Sequence, residues 1–408
     1  MNVLALDVSM GHSYYVFYQD ETCLLEGVLD HNQLGFSALL EQINKFSSIP
    51  DIVFESTGIY SKVIEAFCQN NSFDYYLLNP LEAKKQIEEN TLRSWKTDRS
   101  DAHKLALSHL EKKKVRTIFV KQEEPFLIMR DLSRFYQEIE KQIKQLRMSL
   151  HNCLQLTFPE LGLLFSKHVS IYSLTLISSF PHPELVKASS RTKIKNQLLK
   201  NTKKRMAESK AWAKADQLIE YAQLSYPSVD MDSIQCQKVI YYAEKLSELL
   251  LEKELLSKQM TISAQSIDDF LLYQTFPGIG EVTAALLIGE LGDIRRFNTT
   301  NQLNAFVGID IRRYQSGKHM GQDHINKRGN PKARKILFYT IKNMVRQQKN
   351  FNNHIVDYYY KLKKQPIPKK DKVATVACIN KLLKCMHSMV RNHTEYAYAY
   401  TASECQNL

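Results

Sequence analysis

Five side chains in this sequence are of the right types to work on a phosphodiester. Four are carboxylates: Asp7, Glu55, Asp98 and Asp101. Hard divalent cations take oxygen ligands, and two such ions about 4 Å apart can activate an attacking oxygen and stabilise a leaving one. Asp98 and Asp101 are three apart, a spacing that puts them on one helix face. The fifth side chain is Ser316, beside Gly317 and flanked by Arg312, Arg313, Lys318 and His319. A serine hydroxyl is a weak nucleophile until its proton is removed or its oxyanion is stabilised. A neighbouring glycine lets a bulky substrate come close to the backbone, and cations on both sides suit a phosphate under attack. From Ile311 to Lys349 there are eleven Lys and Arg and one acid, Asp323. Each residue also has an ordinary reading. Asp7 can start a turn, Glu55 can cap a helix, Asp98 and Asp101 can answer a helix dipole, and Ser316 can sit in a polar surface loop. Only their joint placement argues for chemistry.

The composition is compatible with that chemistry. The 408 residues leave room for roughly two or three domains, each with its own core. A formal charge of +12 and a pI near 9.1 point to a polyanionic partner. Nucleic acid is favoured over a membrane surface, because no apolar run approaches a span and Val3–Leu6 is too short for a signal peptide. The seven cysteines are scattered with no Cys-x-x-Cys pair and read as reduced thiols of a cytoplasmic protein. The twelve histidines show no zinc-ligand spacing, and His319 and His324 read as phosphate contacts.

The acids need rigid elements to aim them. Strands are expected at Val3–Val8, His12–Tyr18, Cys23–Leu29, Asp51–Ser56, Asp74–Leu78 and Val115–Val120. Asn32 can cap a helix to about Phe46, with Leu34, Leu39, Leu40 and Ile43 as its apolar face. Further helices are expected over about Tyr60–Asn70, from Pro80, and over Asp98–Glu111. Three strands followed by alternating helix and strand is the order of an RNase H-like fold, with Asp7 and Glu55 at strand ends. Lys96, Arg99 and Lys104 lie near enough in the chain to meet phosphate.

Apolar steps of three and four from Leu132 to Cys153, and again from Val239 to Met260 with Lys253 breaking the seam, predict two long amphipathic helices. They suit an antiparallel hairpin or a dimerisation arm, and equally two helices of a bundle. Between them lies a basic segment, 159–230. Its Lys187–Lys214 stretch holds ten Lys and Arg and one acid, and its Trp212 could stack on a base. Phe276-Pro-Gly-Ile-Gly280 has the form of a helix-hairpin-helix turn. In it, Gly278 and Gly280 permit a tight bend and the next helix start can hold phosphate. Lys327, Arg328, Lys332 and Arg334 line a basic turn leading into a helix over Lys332–Gln348, and another helix is expected over about Asp371–Arg391.

Taken together, Leu4-Ala-Leu-Asp7, Phe54-Glu-Ser-Thr-Gly58, Lys96-Thr-Asp-Arg-Ser-Asp101, Pro277-Gly-Ile-Gly280, Gln315-Ser-Gly317 and Lys327-Arg-Gly-Asn330 form a specific combination. The chain resembles the DEDD-type transposases of the insertion-sequence 110 family over nearly its whole length. The fold class expected is α/β plus α. The divisions expected are a RuvC-like domain at 1–122, coiled-coil helices at 123–158 and 231–266 around the basic insert 159–230, a mainly helical C-terminal transposase domain at 267–395, and a tail at 396–408. The resemblance implies that Asp7, Glu55, Asp98 and Asp101 bind Mg²⁺, or Mn²⁺, and that Ser316 attacks DNA. It also implies a structured guide RNA, donor and target DNA as substrates, and a working dimer or tetramer in the bacterial cytoplasm at the nucleoid. Gly278, Gly280, Arg312, Arg313, Lys318, His319, Lys327, Arg328, Lys332 and Arg334 are the expected nucleic-acid contacts. The mechanism expected is a phosphoserine link that conserves the bond energy for rejoining. Two rivals stand beside it: a metal nuclease such as a junction resolvase, with water as nucleophile, and a non-enzymatic nucleic-acid-binding protein.

Overall fold

In the computed structural model the chain forms two compact units, Met1–Lys121 and Gln122–Leu408. The structure describes residues 1–46, 48–78, 97–112, 123–165, 169–200, 206–313, 315–316, 319–321 and 323–398, with backbone only at Lys112, Ser316, His319 and Met320.

The first unit is a five-stranded mixed sheet. β1 (Asn2–Val8), β2 (His12–Gln19) and β3 (Thr22–Asp30) form an antiparallel meander, and β4 (Asp51–Glu55) and β5 (Tyr75–Leu78) add in parallel beyond β1. The strand order is β3-β2-β1-β4-β5. The central strands are apolar along their length because both faces are covered. Leu4, Leu6, Phe17, Ile52 and Phe54 pack under α1 (Gln33–Asn44) and α2 (Lys62–Asn70). On the other face Val3, Ala5, Val16 and Val53 pack under Ala102, Leu105 and Ala106 of α3 (Asp98–Lys112).

Asn32 caps α1 as its sequence predicts, its side chain accepting from the Gly35 amide at 2.9 Å. Leu34 departs from expectation and is 82% exposed. The helix face is instead Phe36, Leu39, Leu40 and Ile43, which share the 3.6-residue period that Leu34 breaks. The helix expected from Pro80 and the strand expected at Val115–Val120 lie outside the described residues.

In the second unit two long helices, α4 (Glu124–Thr157) and α9 (Ile234–Ala264), run antiparallel. The Cys153 thiol meets Gln235 near one end, and Lys253 Nζ meets Glu140 Oε1 at 2.7 Å further along. Lys253 therefore closes the seam rather than breaking it, and its ammonium also lies 5.0 Å from the Tyr136 ring centre. Between them come a 3₁₀ turn (Pro159–Leu164), α5 (Ile171–Ser179), α6 (Pro183–Lys187), α7 (Arg191–Lys200) and α8 (Glu208–Leu224). After α9 follow α10 (Asp269–Gln274), α11 (Glu281–Leu291), α12 (Thr300–Val307), the short strands β6 (Ile311–Arg312), β7 (Gln315–Ser316), β8 (His319–Met320) and β9 (His324–Ile325), then α13 (Pro331–Arg346), α14 (His354–Lys363) and α15 (Asp371–Asn392). One buried cluster runs through the helices of this unit, from Ile143 and Leu198 to Leu287, Leu337 and Leu382.

Trp212 is half-buried with two cations against its ring. Arg191 lies 4.4 Å and Lys195 4.9 Å from its ring centre. Those two cations are themselves paired, with Asp216 and Glu208. Asp216 lies just beyond the stretch whose charge marks it as basic, so the sequence count missed its neutralising effect.

Candidate functional site

The four acids come to one end of the first unit by three separate pieces of geometry. Side chains alternate along a strand. Asp7 therefore faces the same side as Val3 and Ala5, and Glu55 the same side as Val53, which is the side α3 covers. The parallel register pairs Leu6 with Phe54, so Asp7 and Glu55 follow one another at the carboxyl ends of neighbouring strands. On α3, Asp98 and Asp101 precede Ala102, Leu105 and Ala106 on the sheet-facing stripe, at helical spacing.

The direction of α3 completes the argument. His109 Nε2, near its end, meets Asp51 Oδ2 at 3.2 Å at the start of β4. The helix thus runs against β1 and β4, and its first turn lies over their carboxyl ends. At that end His12 Nε2 stands 4.0 Å from Asp98 Oδ2. His12 opens β2 just beyond the Val8–Ser13 pair. Nothing local in the sequence marks this histidine, which only the hairpin register brings to the acids.

A reciprocal capping box fixes the first turn of α3: the Ser100 amide donates to Thr97 Oγ1 and the Thr97 amide to Ser100 Oγ, both at 3.1 Å. The Asp98 side chain is 57% exposed, whereas that of Asp101 is 15% exposed and lies 3.6 Å from Lys104 Nζ. Arg99 forms a two-pronged pair with Glu26. Arg99 and Lys104 are thus engaged within the unit, and Lys96 lies outside the described residues.

The donor chemistry of the quartet, four carboxylates and no soft ligand, fits Mg²⁺ or Mn²⁺. The oxygens are not gathered three at a time within 4.8 Å, and among the described residues only Cys23, Glu26 and His103 reach that density.

In the second unit Ser316 ends β7, directly opposite His319 of β8, with Gly317 and Lys318 between them in sequence. Gly317 and Lys318 lie outside the described residues. Below this tip β6 pairs with β9, Arg312 opposite His324. Arg312 and Arg313 are exposed. Arg313 holds Asp323 through Nε to Oδ1 at 3.3 Å and Nη2 to Oδ2 at 3.1 Å. That hydrogen-bonded pairing holds the Asp323 carboxyl below its usual range, which makes it a poor base.

The ribbon's base is closed by bare backbone. Gly308, at φ +78°, ends α12, and a side chain there would come within 2.6 Å of the Gly329 amide nitrogen. A Cβ on Gly329 would come within 2.2 Å of the Phe306 carbonyl oxygen. Asn330 caps α13 through Lys332 and Ala333, and its side-chain amide donates to Glu290 Oε2 at 2.9 Å. Glu290 is buried and also receives Gln137 Nε2 at 3.0 Å, tying the base to α4. Arg334 turns inward, donating to the Val307 carbonyl at 2.7 Å. Lys327 and Arg328 are exposed, Lys332 half-buried.

The Pro277–Gly280 turn joins α10 to α11. Gly278, at φ +95°, packs on Met344, and side-chain amides of Asn353 and Asn343 donate to the Pro277 and Gly278 carbonyls. Gly280 caps α11 with open space where a Cβ would be.

The chain thus sets an α/β unit with carboxylates at its strand ends before a helical unit with a basic ribbon and a glycine turn. Two family profiles match the chain. One, described as a transposase and of the IS110 DEDD type, covers residues 4–159, and one for the transposase IS116/IS110/IS902 family covers residues 272–358. The chain belongs to this IS110 group of transposases. It is 32% identical over 93 residues to the transposase for insertion sequence element IS1111A of Coxiella burnetii (strain RSA 493 / Nine Mile phase I), over 23% of this chain and 26% of that relative. It is 36% identical over 63 residues to the transposase for insertion sequence element IS1328 of Yersinia enterocolitica, over 15% and 19% respectively. The matched part thus spans about a quarter of the first relative and about a fifth of the second.

Proposed function

We propose that this chain is an insertion-sequence transposase that cuts and rejoins DNA, with an RNase H-like, RuvC-like first unit and Ser316 as nucleophile. The observation that carries the reading is that Asp7, Glu55, Asp98 and Asp101 fall at the same end of the sheet in a chain of this family. These four would hold Mg²⁺ or Mn²⁺, which when bound supplies stabilisation of negative charge on oxygen. The Ser316 Oγ–phosphorus bond forms as a phosphorus–oxygen bond of the DNA backbone breaks. The departing DNA oxygen leaves as a hydroxyl, and the phosphoserine link preserves the energy for rejoining. Arg312 and Lys327 with Arg328, all exposed, suit the flanking phosphates. Asp323, engaged by Arg313, is not the base. Donor and target DNA are the substrates, a structured RNA the guide, and a homo-oligomer the working form. No helix among the described residues is long and apolar enough to cross a membrane.

The test is to incubate the protein with Mg²⁺, guide RNA and end-labelled DNA, then denature. A protein–DNA adduct is expected from the natural sequence and none from Ser316→Ala. An adduct that persists in Ser316→Ala would overturn the nucleophile, and hydrolysed ends with no adduct would point to water. Cleavage unchanged in Asp7→Asn would remove the role given to the carboxylates.

A further inference from the structure

We propose that Cys23, Glu26 and His103 form a binding site for a thiolate-seeking divalent cation, Zn²⁺ by preference, at the outer edge of the first unit's sheet. One ligand atom from each lies within 4.8 Å of the others, and all three residues are half-buried. Small side-chain movements would bring them to ordinary zinc bond lengths of about 2.0–2.3 Å, leaving a fourth position for water.

The backbone is shaped to make this set. β3 carries a bulge: Phe17 pairs with Leu25 and Tyr18 with Cys23, so Leu24 is the extra residue. Under strict alternation Cys23 would lie on the face of Leu25, away from Glu26. The bulge shifts the phase, so that Cys23 joins the cluster under α3 while Leu24 is left 50% exposed.

The surroundings orient each ligand. Tyr18 Oη lies 2.8 Å from His103 Nδ1, and His103 Nε2 points at Glu26 Oε2 at 2.7 Å. As the ring stands, Nε2–H donates to Glu26 Oε2. A cation would take the place of that proton, leaving Nδ1–H to donate to the tyrosine and an Nε2 lone pair on the ion, the arrangement metal-binding histidines use. Arg99 Nη2 sits on Glu26 Oε1 and its Nε reaches Oε2 at 3.1 Å. An ion on Oε2 can therefore leave the Oε1 contact standing. With the thiol proton released to solvent, the thiolate and carboxylate bring two negative charges against the one positive charge of Arg99. A thiolate ligand separates this site by softness from the all-carboxylate quartet. Because His103 lies on α3, a filled site would fasten to the sheet edge the helix that carries Asp98 and Asp101. Sequence spacing hid the set, since His103 and Glu26 are 77 residues apart.

The test is to titrate the full chain with Co²⁺ in excess Mg²⁺. One equivalent is expected to bring up a thiolate-to-cobalt charge-transfer band, which Zn²⁺ then bleaches. The band should vanish in Cys23→Ser and in Cys23→Ala, and remain in Asp7→Asn. Tyr18→Phe should weaken Zn²⁺ retention in equilibrium dialysis by about tenfold. Far-ultraviolet circular dichroism would check that each variant is folded. No band in the folded natural chain, or a band that survives both Cys23 variants, would overturn the site.

Discussion

The acid-bearing end of the first unit and the serine ribbon of the second are built in opposite ways. Asp7 and Glu55 extend from strands whose neighbouring residues, Leu6, Val53 and Phe54, are wholly buried, and α3 is clamped at both ends, by the Thr97–Ser100 box and by His109 on Asp51. Ser316 lies at the tip of a ribbon made from two-residue strands, and the ribbon's firmness is confined to its base, at Gly308, Gly329 and Asn330. Carboxylates that are to share a cation need a fixed spacing, and a sheet with a helix across it supplies that. On the proposed mechanism the serine would need reach into a substrate, and a slender ribbon on a firm root would supply that.

This contrast can be broken or sharpened. The largest effect is expected from removing the chemistry at either end. Ser316→Ala and Asp7→Asn should each lower strand joining on the order of 10³-fold or more, with unchanged circular dichroism. Only Ser316→Ala should be insensitive to replacing Mg²⁺ by Mn²⁺. Next comes the ribbon's root. Gly329→Ala forces a Cβ against the Phe306 carbonyl and the Gly308 nitrogen, and should cost roughly 2–4 kcal/mol in denaturant unfolding. If it is neutral, the root is not the firm part.

A pH effect of intermediate size should follow from His354, which is buried, bonded through Nδ1 to Tyr396, and pushed down to about 4 by that burial. Above pH about 6.5 the ring is neutral in both folded and unfolded chains, and its full contribution to stability is present. Between there and about 4 only the unfolded chain takes the proton, so stability falls, by on the order of 2 kcal/mol in all. His354→Gln should flatten that slope in melting curves taken from pH 7 to pH 4. The smallest effect is expected at the ribbon's side. Arg312→Gln should leave the melting temperature unchanged, because the side chain is exposed, while the salt dependence of DNA binding becomes shallower.

Much of the first unit was legible because its signals are local. Alternating apolar runs marked the strands, Asn32 marked a helix start, and the three-residue step from Asp98 to Asp101 marked one face of α3. What was hidden depends on partners far along the chain. Arg334 counts as a basic surface residue until Val307, 27 residues earlier, is seen to take its guanidinium. Glu290 reads as one more polar residue in an apolar helix until Gln137 and Asn330 are found on its two oxygens. Nothing near Trp212 in the chain announces the two cations on its ring, Arg191 and Lys195 of the preceding helix. His12 needed the β1–β2 register to reach Asp98.

The touching glycines at 308 and 329 have one more consequence. Where main chain lies against main chain with no side chain between, the joint does not depend on what is mounted beyond it. The stretch from 309 to 328 is therefore the natural unit to lengthen, shorten or exchange between relatives. Such exchanges should succeed when residues are added in pairs and fail when one is added alone, since a single addition turns every later side chain in a ladder to the opposite face.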